Sequence, residues 1–253
     1  MVVQAASLDT FAQSCAQVST LAELWRLTYG YVSDRGVTMV SYHADQGQGP
    51  VLSPDQISAQ GFPQDWVCHY IGAQLVDVDP IPDLAQRMGR PFFWSETATL
   101  TRLSDAEADF LRQLSEADIG DGLAFHVTGP NMRNAYVGLG FGHKEIDLAP
   151  SQIFELRCAA QIAHLRFCDL TFDRRMVETG LTPREREVLG WIAQGKSNAV
   201  IAQILGISRH TVDTLTRRIF EKLGVNDRIT AAIQGIGSGL VRTSRARSAI
   251  GGR

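Results

Sequence analysis

The stretch that most constrains this chain runs from Ile207 to Leu223, Ile-Ser-Arg-His-Thr-Val-Asp-Thr-Leu-Thr-Arg-Arg-Ile-Phe-Glu-Lys-Leu. Ser208 is placed to cap a helix, because its hydroxyl can accept a hydrogen bond from a free amide of the first turn. From there Val212, Leu215, Ile219 and Leu223 recur at three- and four-residue spacing, a stripe about one hundred degrees wide that predicts a buried face. The opposite face carries Arg209, His210, Asp213, Thr214, Arg217 and Arg218. A short helix of this kind, apolar on one side and rich in arginine and hydroxyls on the other, suits a DNA major groove. Taken alone it fits an ordinary amphipathic surface helix equally well.

Its neighbours decide between these readings. Thr182-Pro-Arg-Glu185 reads as a helix start, with a threonine cap, proline at the first helical position and a glutamate to close a capping box. Gly195 ends that helix, Ser197 caps a second one carrying Val200, Ile201, Ile204 and Leu205, and Gly206-Ile207-Ser208 forms the tight turn into the arginine-bearing helix. Short helix, glycine turn, second helix is the pattern of a helix-turn-helix. Leu181-Thr-Pro-Arg-Glu-Arg-Glu-Val-Leu189, Gly195-Lys-Ser-Asn198, Ile201-Ala-Gln-Ile-Leu205, Thr211-Val212 and Lys222-Leu223 resemble the LuxR-type DNA-binding domain. The resemblance spans residues 181–240 and implies an all-α, four-helix domain that binds double-stranded DNA. Leu215 departs from it, since many members carry histidine or an aromatic residue there; the expected effect is on packing. The DNA contacts follow by position. Lys196 and Ser197 meet phosphate through a charge and helix N-terminal amides. Arg209, His210 and Thr211 form the tip of the recognition helix, with Asp213, Thr214, Arg217 and Arg218 along its exposed side.

Charge is distributed to match. The net charge of −3 combines two opposite halves: residues 181–253 hold 12 lysines and arginines against 5 acidic residues, and residues 1–180 hold 12 against 22. A basic terminal domain on an acidic body fits a DNA reader joined to something that is not one. The four cysteines, Cys15, Cys68, Cys158 and Cys168, form no CxxC pair and are expected to be free thiols in a reducing cytoplasm. No run of roughly twenty apolar residues appears, so neither export nor membrane insertion is expected, and the cytoplasm is the expected location.

The first 180 residues mix helices and antiparallel strands without a βαβ repeat, which predicts an α+β domain. Apolar spacing predicts a helix from Ser7 to about Gly36, a strand over residues 37–43, a helix from Pro63 to about Val76, one capped by Asp79-Pro80 and ended by Gly89, and a strand fragment at Phe92–Trp94. Ser104 to Ile119 reads as an amphipathic helix with Ala106, Phe110, Leu111 and Leu114 inward. Strands at 123–128 and 135–141 are joined by a hairpin signal. A long helix from Pro150 carries Ile153, Leu156, Ala160, Ala163, Phe167 and Leu170, a spacing that permits a helix–helix seam or packing on the domain's own sheet. The expected organisation is a sensor domain over 1–172, a linker over 173–180, the DNA-binding domain over 181–241 and a basic tail over 242–253.

A second set of residues lies in the sensor half: Trp66-Val-Cys-His-Tyr70, Asp79-Pro80, Arg90-Pro-Phe-Phe-Trp94 and Gly120-Asp-Gly122. On chemistry alone these are either core aromatics with a helix-capping aspartate or the lining of a small-molecule pocket. Their spacing resembles the autoinducer-binding domain of LuxR-type quorum-sensing regulators, loosely over residues 10–175. That resemblance implies an α-β-α sandwich around an antiparallel sheet, a homodimer, RNA polymerase as a further partner, and an N-acyl-homoserine lactone as the signal, with no other cofactor. By the same resemblance Trp66 donates its indole N–H to the lactone carbonyl, Asp79 accepts the ligand amide N–H, and Tyr70 and Trp94 wall the head group. Two positions depart from it. Phe62 stands where many members have a tyrosine four residues before the tryptophan, and Gly140 stands near the place of a serine or threonine on the last strand. These departures argue against an ordinary 3-oxo-acyl ligand and favour an alternative in which an orphan receptor of the same fold reads an exogenous or non-standard signal, or regulates without one. An enzyme is disfavoured, because the six histidines form no HxH or HExxH pattern and no G-x-S-x-G elbow is present. A phosphorylation-driven regulator would need alternating β and α units before the helix-turn-helix.

Overall fold

The structure is a computed structural model that describes residues 6–44, 57–130, 133–143, 146–171 and 180–241. The expected tail and all of the expected linker except Gly180 lie outside those residues. The chain forms two compact units, residues 1–171 and 172–253.

The first unit is built on a five-stranded antiparallel sheet, β1 (Met39–Ala44), β2 (Ile57–Gln60), β3 (Phe92–Phe93), β4 (Asp121–Val127) and β5 (Ala135–Gly142), in the order β2-β1-β5-β4-β3. Because side chains alternate along a strand, the sheet needs cover on both faces. One face packs Val40, Phe125, Val137, Leu139 and Phe141 against α1 (Leu8–Gln17), α2 (Leu21–Ser33) and α7 (Pro150–Leu170). The other packs Met39, Ala124 and Tyr136 against α3 (Gln64–Gly72), α4 (Pro80–Met88) and α6 (Asp105–Glu116), with Phe62, Trp66 and Tyr70 alongside. A short helix α5 (Thr97–Leu100) precedes α6. The expected α+β fold is therefore present, with helices on both sides of an antiparallel sheet.

Three local expectations are corrected. The expected single helix from Ser7 to Gly36 is two helices. Thr20 accepts from the Glu23 amide while Glu23 reaches back to the Thr20 amide, so a capping box starts α2 afresh after an extended Val18. The helix after Pro63 ends at Gly72; Gln74 turns left-handed and a short 3-10 segment, Leu75–Asp77, leads to Asp79. Ala106 is exposed, whereas Phe110 is buried and Leu111 and Leu114 pack beside it.

The stripe on α7 packs inside its own domain, against α1 and α2 as well as the sheet. Leu156, Ala160 and Ala163 are buried in the core beneath α1 and α2, with Ile153, Phe167 and Leu170 packed around them. Both readings of that spacing are therefore met within the domain, since α7 packs on helices α1 and α2 and on β4 of the sheet.

The described residues of the second unit form four helices: α8 (Pro183–Ala193), α9 (Asn198–Leu205), α10 (Arg209–Leu223) and α11 (Arg228–Gly237). Val188, Leu189, Ile192, Ile201, Val212, Ile219, Leu223 and Ala231 make its core. Thr182, Ser197, Ser208 and Asp227 cap the four helices through their side-chain oxygens. Gly206 closes α9 at φ +64°, a conformation that a side chain disfavours, and so sets the tight turn into α10. Among the described residues, no helix is long and apolar enough to cross a membrane.

Candidate functional site

On the α3–α4–α6 face of the sheet lies a cavity of about 250 Å³. Five of the six expected ligand residues, Phe62, Trp66, Tyr70, Asp79 and Trp94, line it. The sixth, Gly140, does not. It lies under Trp94, and a Cβ built there would come within 3.0 Å of the Trp94 ring and 2.8 Å of Met39 Cε.

Each wall has a local cause. Helical spacing puts Trp66 and Tyr70 one turn apart on the same side of α3, and both rings pack against Phe110 of α6 at centroid distances of 6.3 and 6.1 Å. Trp94 follows the short edge strand β3 and is held by its neighbours. The Phe93 amide donates to Glu96 Oε2 at 2.6 Å, and Ser95 donates its hydroxyl to Asp121 Oδ2 at 2.6 Å. Phe62 stacks on Trp94 with centroids 6.3 Å apart.

Asp79 is both the helix cap and the polar group of the cavity. Oδ1 accepts from the Ile81 amide at 2.9 Å, and Oδ2 accepts from the Tyr70 hydroxyl at 3.0 Å. Burial pushes its carboxyl up to about 7; the two hydrogen bonds pull the other way, and neighbouring Asp83 adds to the rise. Each carboxylate oxygen has lone pairs for a second donor. The site therefore holds an acidic group near its neutral-to-charged midpoint, in an aromatic chamber, with acceptor capacity left.

The structure adds residues that the sequence reading missed. Ser41, His43 and Tyr136 also line the cavity, from β1 and β5. The Tyr136 hydroxyl lies over Gly138, where a Cβ would come within 2.5 Å of it and would also collide with Ser41 Oγ. A tyrosine and a serine thus occupy the space above the last strand that a side chain at Gly138 would fill. Strand alternation of Tyr136, Gly138 and Gly140 was the available signal, once the face was known.

In the second unit α10 presents Arg209, His210, Thr211, Asp213, Arg217 and Arg218 to solvent, with Thr214 half-buried; Lys196 and Ser197 are exposed at the start of α9. Val212, Ile219 and Leu223 are buried beneath them and Leu215 packs at the edge of the same core. Three of the face residues are already engaged: the Thr211 hydroxyl lies 2.8 Å from that of the cap Ser208, and Asp213 and Arg217 also have partners. Asn198 donates to Asp213 Oδ1 at 2.7 Å and accepts from Arg228 at 2.8 Å, linking α9, α10 and α11. Arg217 lies 3.9 Å from Glu221 one turn on. Thr216, on the apolar side, is also buried and donates to the Val212 carbonyl at 2.8 Å, an ordinary way for a hydroxyl to sit inside a helix.

The sensor cavity on one unit and the helix-turn-helix on the other define a ligand-responsive transcriptional regulator. Comparison with known proteins agrees. The family model of the autoinducer binding domain matches residues 20–167, and that of the bacterial regulatory proteins of the luxR family matches residues 179–234. The quorum sensing-dependent transcriptional regulator RpaR of Rhodopseudomonas palustris is 27% identical over 189 residues, which are 75% of this chain and 76% of that one. The transcriptional activator LuxR of Aliivibrio fischeri is 24% identical over 199 residues, 76% and 77% of the two chains. In fold, the chain superposes on the crystal structure of Escherichia coli SdiA with a TM-score of 0.72 at 18% identity, covering 92% of this chain and 97% of SdiA. The chain belongs to the LuxR-type quorum-sensing transcriptional regulators, with an autoinducer-binding domain followed by a helix-turn-helix domain. These relatives are regulators of transcription and not enzymes.

Proposed function

We propose that this regulator binds an N-acyl-homoserine lactone-like signal in the cavity around Asp79 and, as a dimer, binds double-stranded DNA through α10. The observation that carries the proposal is the Asp79 carboxylate, enclosed in an aromatic cavity with unused acceptor capacity. A ligand amide N–H satisfies that capacity, and an acyl chain buried against Phe62, Phe110, Ile81 and Leu114 contributes about 0.8 kcal/mol per methylene. Trp66, Tyr70 and Trp94 wall the head group. SdiA has been solved in complex with octanoyl-rac-glycerol, an acyl chain on a small polar head, which supports this class of ligand.

Two exposed apolar pairs support dimerisation. Phe154 and Leu165 of α7 are 66% and 49% exposed, on the side of that helix away from the sheet. Ile229 and Ile233, one turn apart on α11, are 72% and 50% exposed. A two-fold dimer sets two recognition helices over half-sites about 34 Å apart. Lys196 and Ser197 anchor phosphate, Arg209, His210, Thr211, Thr214, Arg217 and Arg218 face the groove, and Asp213 keeps the recognition helix braced through Asn198. RNA polymerase is the onward partner and the cytoplasm the location. The sensor occupies residues 1–172 and the DNA reader 181–241, with a linker over 173–180 and a basic tail after 241.

Purification with and without acyl-homoserine lactones tests the proposal. Saturating ligand at a hundred times its dissociation constant stabilises the sensor domain by about 2.7 kcal/mol. Equal solubility, melting temperature and DNA affinity in both preparations would overturn ligand control. The alternative is an orphan receptor reading a signal made elsewhere, and Phe62 in the tyrosine position favours it. Mass spectrometry of ligand extracted from the protein decides between the two, because an orphan receptor yields no lactone made by its own host.

A further inference from the structure

Two nitrogens on the cavity wall are buried without a hydrogen-bond partner, His43 Nδ1 and Trp94 Nε1. A buried polar group left unpaired weakens a fold unless something else satisfies it, and a bound ligand is the natural candidate where both atoms line one cavity. Trp94 belongs to the head-group wall. His43 has no such role, and it is 6% exposed.

The register of the sheet separates the two. His43 pairs with Tyr136, whereas Met39 pairs with Gly140, the glycine beneath the Trp94 ring. Four residues of strand, about 13 Å, lie between those rows. Ser41 and the Tyr136 hydroxyl fall between them. His43 packs edge-on against Tyr136 at 5.0 Å between centroids and lies 6.3 Å from the ring of Tyr70, whose hydroxyl reaches Asp79. A ligand whose head lies at Trp94 and whose amide meets Asp79 therefore runs its acyl part toward His43. A plain hydrocarbon there would leave the imidazole nitrogen unsatisfied.

We propose that His43 is a specificity-determining residue that hydrogen-bonds an oxygen on the acyl part of the ligand, so that the chain selects oxo- or hydroxy-substituted acyl-homoserine lactones over plain ones. The inference rests on the reading of this cavity as an acyl-homoserine lactone-like site. Burial holds the imidazole down to about 4, so it is neutral at pH 7, with one ring nitrogen donating and the other accepting. Either oxygen substituent can be served. The polar groups supplied by Ser41, His43 and Tyr136 also reverse the expectation, drawn from Phe62 and Gly140, that an oxo-acyl ligand would lack donors.

The test measures dissociation constants of N-hexanoyl-homoserine lactone and its 3-oxo and 3-hydroxy analogues on the full chain, by competition, for wild type, His43→Phe, His43→Gln and Asp79→Asn. Wild type is expected to prefer an oxygenated lactone by about tenfold. His43→Phe, which keeps a ring but no polar atom, is expected to bring that ligand to within about twofold of the plain one, and His43→Gln to keep the preference. His43→Leu repeats the measurement where His43→Phe does not fold. No preference in wild type, a preference that survives in His43→Phe, or equal weakening of all three ligands overturns the proposal. If Asp79→Asn abolishes binding while the His43 variants keep the wild-type ranking, this inference alone fails. If no lactone binds wild type, the reading of the cavity fails with it.

Discussion

The indole of Trp94 packs against Gly122 so closely that a Cβ at Gly122 would come within 2.5 Å of Trp94 Cζ2. Gly140 on the neighbouring strand supports the same ring. The aromatic wall of the sensor cavity thus depends on two positions that have no side chain. Gly122→Ala is expected to push Trp94 into the cavity and to cost about 1–3 kcal/mol of stability through overpacking. Thermal melts of the full chain, with and without lactone, measure both effects; ligand stabilisation falls more than the melting temperature of the free protein.

Asp79 gives the cavity a pH dependence. Its carboxyl is raised to about 7 from an ordinary value near 3.8, so between those values the folded chain holds a proton that the unfolded chain has released. Stability of the ligand-free protein from this group therefore falls as pH rises from about 4 to about 7, and is flat outside that window. A ligand amide that donates to the carboxylate favours the ionised form. Lactone affinity is then expected to weaken by up to about tenfold per unit as pH drops below 7, and Asp79→Asn to remove that slope. Titrations at pH 5.5, 6.5 and 7.5 (roughly one unit apart, spanning the Asp79 midpoint) check the sign.

In the DNA-binding unit Glu185 is buried and receives Lys222 Nζ at 2.6 Å as well as the Thr182 amide at 2.7 Å. Burial raises its carboxyl, but Lys222 and Thr182 together lower it further, so it remains charged. The pair ties the start of α8 to the last turn of the recognition helix. Lys222→Met strands a buried carboxylate and is expected to cost about 3 kcal/mol. Chemical denaturation of the wild-type and variant chains measures the loss. Because the folded carboxyl is depressed, the wild-type contribution is present above the usual glutamate range and is lost as pH falls through the folded value.

Two kinds of DNA contact are expected from the exposed face of the helix-turn-helix. Lys196→Ala is expected to weaken binding to all DNA sequences and to reduce the salt slope by about 1. Arg217→Ala and Thr214→Ala are expected to change base preference at a cost of about 1–3 kcal/mol for the preferred site. Asp213→Ala, which releases Asn198, is expected to lower the melting temperature of this unit. Binding to a randomised operator library at two salt concentrations separates these outcomes.

Ile229 and Ile233 form an exposed apolar pair on α11, as Phe154 and Leu165 do on α7. Replacing Ile229 and Ile233 together by glutamate is expected to leave the fold intact, since neither is in the core, and to weaken DNA binding through loss of pairing. Sedimentation of the protein–DNA complex reads the stoichiometry directly.

Much of the second unit was legible in the sequence. Helix caps and turns are local, so Thr182, Glu185, Ser197, Gly206 and Ser208 state where each helix starts and stops within four residues of themselves. The stripe Val212, Ile219 and Leu223 needs only helical spacing to name its buried face. In the first unit the cavity residues Trp66, Tyr70, Asp79 and Trp94 came from the resemblance of their motifs to the autoinducer-binding domain, and the structure places all four around one cavity. What spacing could not supply is which residues the sheet adds from far along the chain. Ser41 and His43 reach the cavity only because β1 pairs with β5, and Tyr136 because Gly138 leaves room for its hydroxyl. The break between α1 and α2 was missed for a related reason: the apolar spacing runs on past Val18, and only the Thr20–Glu23 box interrupts it.

The sequence by itself determined the two-part architecture and the helix-turn-helix with its buried and exposed faces. These depend on local propensity and short periods that any folded context must respect. Tertiary structure decided that the α7 stripe packs inside its own domain, that Gly140 supports Trp94 from below and does not line the cavity, and that His43 enters the cavity with an unpaired nitrogen. Each of those outcomes depends on register and on long-range pairing, where a shift of one residue reverses the face a side chain points to.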